Sequence, residues 1–167
     1  MKKLVTLLLI VVFSFSSCEK DDICDANTST TPRLVIEFYD FNNPSVLKTV
    51  TNLEVIGEGL TEALVSSYNK NTISIPLKTT ENTTSYRFIL NSGTSSIQNE
   101  DQIKFDYTHE NLYVSRACGY KTIFTLDPIN PYTHTDATLA DGLWIKAISI
   151  EKSNIENESK THVKIYF

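Results

Sequence analysis

Between Arg33 and Phe167 apolar residues recur at every second position, and this alternation confines the chain to β structure. Leu34, Ile36 and Phe38 share one parity, and so do Ile73, Ile75 and Leu77, then Tyr86, Phe88 and Leu90. Ile103, Phe105 and Tyr107 repeat the pattern, as do Val163, Ile165 and Phe167 at the end of the sequence. Successive side chains of a strand point to opposite faces, so each same-parity run marks one buried face. No stretch carries the three-and-four spacing of an amphipathic helix.

The segments expected from this pattern are strands over 33–38, 48–57, 72–78, 85–91, 121–126, 143–150 and 162–167. Two more, 102–108 and 111–117, read as a hairpin turning at His109-Glu110. In 48–57, Val50 opposes Leu53 and Val55, which leaves the register open. Residues 60–68 fit either a helical turn or a loop, and Asp127-Pro128-Ile129-Asn130-Pro131 opens a loop reaching Gly142. Pro76 cannot donate to a ladder, so 72–78 belongs at an edge or a bulge. About nine short strands without helices predict an all-β, antiparallel two-sheet sandwich, immunoglobulin-like or transthyretin-like, with a β-barrel as the alternative. The immunoglobulin order of cysteine, tryptophan, cysteine is absent, because Trp144 follows both domain cysteines.

The N-terminus reads differently. Lys2-Lys3 precedes an apolar run from Leu4 to Phe15, broken only by Thr6 and Ser14. The run is short of the roughly 20 residues that cross a bilayer and has the length of a signal-peptide core. Phe15-Ser16-Ser17-Cys18 then resembles a lipobox. This predicts a signal peptide over 1–17, an acylated Cys18 heading a polar tether over 18–32, and a domain over 33–167. An ordinary secretory signal ending nearby is the alternative. Cys18-Glu19-Lys20-Asp21-Asp22 further resembles the export signal of surface lipoproteins in the Bacteroidota, with Lys20, Asp21 and Asp22 as the signal residues. That resemblance implies an outer-membrane, surface-facing protein; the periplasmic face, with a merely solvated tether, is the other reading. Acyl chains contribute about 0.8 kcal/mol per buried methylene, so two or three of them hold stably.

Charge narrows the partners. Of the 167 residues, removal of 1–17 leaves 150 and takes the formal charge from −5 to −7, through loss of Lys2 and Lys3. An acidic domain without a cluster of Lys or Arg disfavours nucleic acid and electrostatic docking on anionic lipid. The expected membrane contact is therefore the lipid anchor itself. With Cys18 acylated, Cys24 and Cys118 remain in an oxidising compartment, and a disulfide is the favoured outcome over a metal site or a reactive thiol.

No G-x-S-x-G, P-loop, H-E-x-x-H or EF-hand pattern occurs, so no catalytic residue, metal ligand or cofactor is expected. Four features carry polar chemistry. Arg116-Ala117-Cys118-Gly119-Tyr120-Lys121 suits a turn with a glycine at a special backbone angle, or an anion site beside a thiol. His134-Thr135-Asp136, with Asp127 and Asp141, suits a solvated loop or a metal. Tyr132 and Trp144 are the possible ligand contacts at a sandwich rim, against the core role usual for aromatics beside strands. Asp101, Asp106 and Glu110 read as outward, solubilising carboxylates rather than a glycosidase pair.

Three stretches resemble an uncharacterised family of Bacteroidota lipoproteins with a domain of unknown function. They are Thr31-Pro32-Arg33-Leu34-Val35-Ile36-Glu37-Phe38-Tyr39-Asp40, Arg116 to Lys121, and His162-Val163-Lys164-Ile165-Tyr166-Phe167, together with Cys24. The resemblance implies a two-cysteine β domain on a lipid anchor and transfers no activity. The function expected is a non-enzymatic interaction or structural module at the outer membrane, with an unidentified protein or glycan partner. Glycan or small-ligand binding is the alternative, and an unrecognised hydrolase the third reading. A concave apolar pocket with converging polar groups separates the ligand reading from a flat protein-binding patch.

Overall fold

The computed structural model describes residues 23–167, so the signal peptide, Cys18 and Lys20-Asp21-Asp22 lie outside the described residues. Eleven strands and no helix occur among them: β1 Leu34–Tyr39, β2 Leu53–Gly57, β3 Val65–Tyr68, β4 Thr72–Ile75, β5 Thr83–Leu90, β6 Asn99–Ser115, β7 Gly119–Leu126, β8 Tyr132–Asp136, β9 Ala147–Ile150, β10 Asn154–Ile155 and β11 Val163–Tyr166. They form two sheets. One has the order β4-β1-β11-β9; the other runs β10-β7-β6-β5-β2-β3, with β8 also on β6. Neither closes on itself, so the architecture is the sandwich rather than the barrel.

The described residues divide into two compact units, 23–28 with Tyr113–Tyr120, and Ser29–Leu112 with Lys121–Phe167. In the larger unit the same-parity apolar runs meet as the sequence predicts. Leu34, Ile36 and Phe38 of β1, Ile73 and Ile75 of β4, and Val163 and Ile165 of β11 join Val55, Phe88, Ile103, Phe105 and Phe124 of the other sheet in one buried cluster. β4 is an edge strand ending before Pro76.

Four expectations are corrected. Residues 102–115 form no hairpin but run within one 17-residue strand, and Arg116 and Ala117 lie in the turn after it. His109-Glu110 lacks any residue suited to a tight turn, whereas Gly119, at φ +70°, supplies one ten residues later. β3 lies inside 60–68, with a register shift against β2 between Leu53 and Val55. β8 lies inside the expected 127–142 loop, because the first half of β6 has a free edge that Tyr132–Asp136 fills, Ile103 opposite His134. Finally, β1 and β11 pair in parallel, Phe38 beside Ile165, within otherwise antiparallel sheets.

His162 fastens β11 to β1 from the side. Its Nδ1 accepts the Val35 N–H at 3.0 Å, and its own N–H donates to the Val35 carbonyl at 3.0 Å. Burial, then the charge of Lys152, pushes its pKa below the ordinary 6.5. The unfolded chain therefore binds the proton more readily. The stability contributed by the neutral ring is complete above about pH 6.5 and is lost as pH falls from there through the folded value. Urea midpoints should fall between about pH 7 and about pH 5 in the native chain, and less steeply in His162→Gln, whose amide oxygen can still accept from Val35. Equal slopes in the two proteins would remove His162 as the cause.

Candidate functional site

A groove in the larger unit joins two hollows through shared residues. The first, about 290 Å³, is apolar, walled by Leu60, Leu64, Pro76, Leu77 and Tyr86. The second, about 530 Å³, shares Gly57, Glu58, Leu60, Ser85 and Tyr86 with it and continues over Gln102, Lys104, Thr133 and Thr135. Together they fall in the size range of small-molecule sites, with an apolar wall and a few polar groups.

Local sequence builds the apolar end. β2 stops at Gly57, and Gly59, at φ +80°, turns the chain back so that Leu64 N–H donates to the Val55 carbonyl. This carries Leu60 and Leu64 to the mouth, both partly exposed. Gly57 keeps the hollow open, since a Cβ there would lie 3.1 Å from Leu60 Cδ1 and 3.9 Å from Tyr86 Cε1. Hydroxyls secure the floor. Lys78 N–H donates to Thr84 Oγ1 at 3.0 Å, Thr84 and Tyr107 hydroxyls lie 2.6 Å apart, and Tyr107 donates to the Lys78 carbonyl at 2.8 Å. Since Tyr107 donates to Lys78, the Thr84 hydroxyl donates to Tyr107, closing a ring of three hydrogen bonds. Tyr86 donates to the Pro76 carbonyl, and its burial raises the phenol pKa far above the ordinary value.

The polar end is the outward face of β5, β6 and β8. Register opposes Arg87 to Gln102, Gln102 to Thr135, and Lys104 to Thr133. Arg87 meets Glu100 in a two-pronged pair, Nε to Oε1 at 2.8 Å and Nη2 to Oε2 at 2.6 Å. This pair raises the Arg87 pKa and holds the Glu100 carboxyl below the ordinary range. Lys104 sits 3.1 Å from Asp106. Hydroxyl and amide groups between these pairs can accept and donate to a polyhydroxylated or amide-bearing ligand.

The residues singled out from sequence lie elsewhere. Trp144 is 6% exposed, its indole N–H donating to the Phe88 carbonyl at 3.0 Å and its ring edge-on to Phe167. Half-buried Tyr132 packs on the core and donates to the Ile148 carbonyl. Neither offers the open ring face expected of a rim platform: Tyr132 is on the inward parity of β8, and Trp144 is in the non-strand segment before β9, where both it and Ile145 are buried. Asp101 reverses the outward expectation. It is fully buried, bonded to His134 Nε2 at 2.7 Å and accepting from the N–H groups of Trp144 at 3.2 Å and Ile145 at 2.9 Å. It shares the parity of Ile103, Phe105 and Tyr107, a signal already present in the sequence. Asp127 and Asp136 accept backbone N–H groups of their own loops, which holds both carboxyls below the ordinary range against the opposing effect of burial. Among the described residues no group of His, Cys, Asp or Glu is arranged to hold a metal ion.

In the smaller unit Cys24 and Cys118 form a disulfide, with Cα atoms 4.9 Å apart. Cys118 lies in the turn between β6 and β7, where its N–H donates to Ser115 Oγ.

An open two-sheet β-sandwich with a surface groove is the class that this geometry defines. Residues 52–167 match the family described as "Family of unknown function (DUF6452)", and the chain belongs to that family. No curated protein and no solved structure matches it.

Proposed function

We propose that this protein is a lipid-anchored, non-catalytic binding module of the outer membrane, facing the cell surface, and that its groove takes a small amphipathic ligand. The carrying observation is the continuity of the two hollows through Gly57, Leu60 and Tyr86. An apolar moiety fits between Leu60, Leu64 and Leu77, and a hydroxylated one, such as a sugar, lies over Ser85, Gln102, Thr133 and Thr135. The ionised pairs at the rim favour binding over catalysis, because Arg87 and Lys104 are each engaged by a carboxylate and the Tyr86 phenol is held by Pro76. The anchor rests on the Lys2-Lys3 start, the apolar run and the Phe15-Ser16-Ser17-Cys18 stretch, and the surface address on Lys20-Asp21-Asp22.

Octyl glucoside below its micelle concentration is a suitable probe, with an alkyl chain for one hollow and a sugar for the other. Amide and methyl NMR shifts should concentrate on Leu60, Leu64, Leu77, Ser85 and Thr133. Gly57→Ala should weaken them while the rest of the spectrum stays native, because the backbone there needs no glycine and the tight contact of the added Cβ is with the flexible Leu60. Shifts scattered over the surface, or undiminished in the variant, would refute the groove. For the anchor, Cys18→Ala should release an unacylated protein from the membrane fraction, and continued acylation or membrane retention would count against it.

A further inference from the structure

We infer that the turn between β6 and β7 docks on the lipid headgroups of the membrane to which the chain is anchored, with Tyr113, Tyr120 and Ile23 as the contact. This rests on the acylation of Cys18 proposed above. Cys24 stands six residues after Cys18, and six residues span at most about 22 Å. The disulfide places Cys118 beside Cys24, so a turn 94 residues further along the chain is held within reach of the same bilayer. At that turn the side chains are those an interface selects. Tyr113 is 62% exposed and Tyr120 69%, their rings packed edge-on at 5.4 Å, and Ile23, next to Cys24, is 75% exposed. Tyrosine partitions to the headgroup level, with its ring toward the acyl chains and its hydroxyl in water. The tether around the anchor is acidic, with Glu19, Asp21, Asp22 and Asp25 against Lys20. Arg116 and Lys121 of the turn do not outweigh these four carboxylates, so attraction to anionic lipid is not the source of the contact, which should withstand added salt and form on zwitterionic vesicles.

The test uses the full acylated protein reconstituted into phosphatidylcholine vesicles brominated high on their acyl chains. Tyr120→Trp adds an indole at the exposed position, beside the buried Trp144 of the native chain. The added emission should shift to the blue and be quenched by the brominated lipid, at low and high salt alike. In the Cys24→Ser/Cys118→Ser background the quenching should weaken several-fold, since only the bonds from Lys121 to Ser29 and from Thr122 to Thr31 then tie the tether to β7. Flotation of the protein with the vesicles reads the anchor separately. Failure to float overturns the anchor and this inference together, whereas flotation without quenching, or quenching undiminished by loss of both cysteines, overturns this inference alone. Should Tyr120→Trp misfold, hydrogen exchange on the unsubstituted protein gives the same answer. Residues 113–120 should exchange more slowly on vesicles than in soluble Cys18→Ala. Equal exchange, or slowing only in native outer membranes and not on pure lipid, overturns the inference, the latter outcome assigning the tyrosines to a protein partner.

Discussion

Asp101→Ala should lower the unfolding free energy by on the order of 3–5 kcal/mol, as much as the loss of a large buried apolar side chain. The carboxylate is fully buried and serves three donors from two directions, the His134 ring and the consecutive backbone N–H groups of Trp144 and Ile145. Removing it leaves the two buried amides with nothing to accept their protons, each costing about 1–3 kcal/mol. It also frees the segment that delivers Trp144 to the core. Asp101→Asn should do less harm, since one oxygen remains, but its NH₂ then meets an N–H. Asp106→Ala is the internal comparison. Its partner Lys104 is well exposed, so its loss should stay within about 1 kcal/mol. Urea unfolding followed by Trp144 fluorescence measures all three. Similar midpoints for the Asp101 and Asp106 variants would show that Asp101 is not the hub described. A domain of this size has only about 5–15 kcal/mol in total, so a loss of this size removes a large share of its stability.

Cys24→Ser/Cys118→Ser should cost about 4–5 kcal/mol, through the conformational freedom returned to the unfolded chain. The closed loop spans a sequence separation of 94, which includes two of the four strands of one sheet and four of the seven of the other. The effect should therefore appear as a lower urea midpoint for the whole domain rather than local fraying. The intact protein treated with a reductant should reproduce it. Coincident unfolding curves for the native and double-serine proteins would mean that the reduced chain already holds residues 24 and 118 together.

How much of this was legible beforehand differs from element to element. β1, β5 and β11 are readable as strands from their alternation, although only β11 buries a single parity, since Val35 of β1 and Ile89 of β5 are buried as well. Pro76 marked β4 as an edge through its missing N–H. The middle of the molecule was not legible in this way. β6 was divided at His109-Glu110 because two strands and a turn give the same local pattern as one long strand, and only the neighbours distinguish them. β8 carries Tyr132, His134 and Asp136 on its inward parity, which is not an apolar run, and it became a strand because β6 had an unpaired edge there. Asp101 reads as outward by residue type, although it shares the parity of the buried Ile103 and Phe105. Trp144 was placed at a rim because the sequence does not show that its indole N–H meets the Phe88 carbonyl. The groove drew on four separate stretches, around Gly57, Leu77, Tyr86 and Thr133, and no one of them looks like a site.

The sequence by itself determined the class of fold and the small set of possible cysteine pairs. Side-chain direction alternates along any strand whatever its partner, so a period of two reports burial without knowledge of the rest of the molecule. Tertiary structure alone decided which edges met: β1 in parallel beside β11, β8 on the open half of β6, and the turn back from Gly57 that leaves a hollow against Leu77 and Tyr86. Backbone donors and acceptors are the same in every residue but proline, so the choice of partner strand is made by the packing of distant side chains and by chain closure, and leaves no local mark.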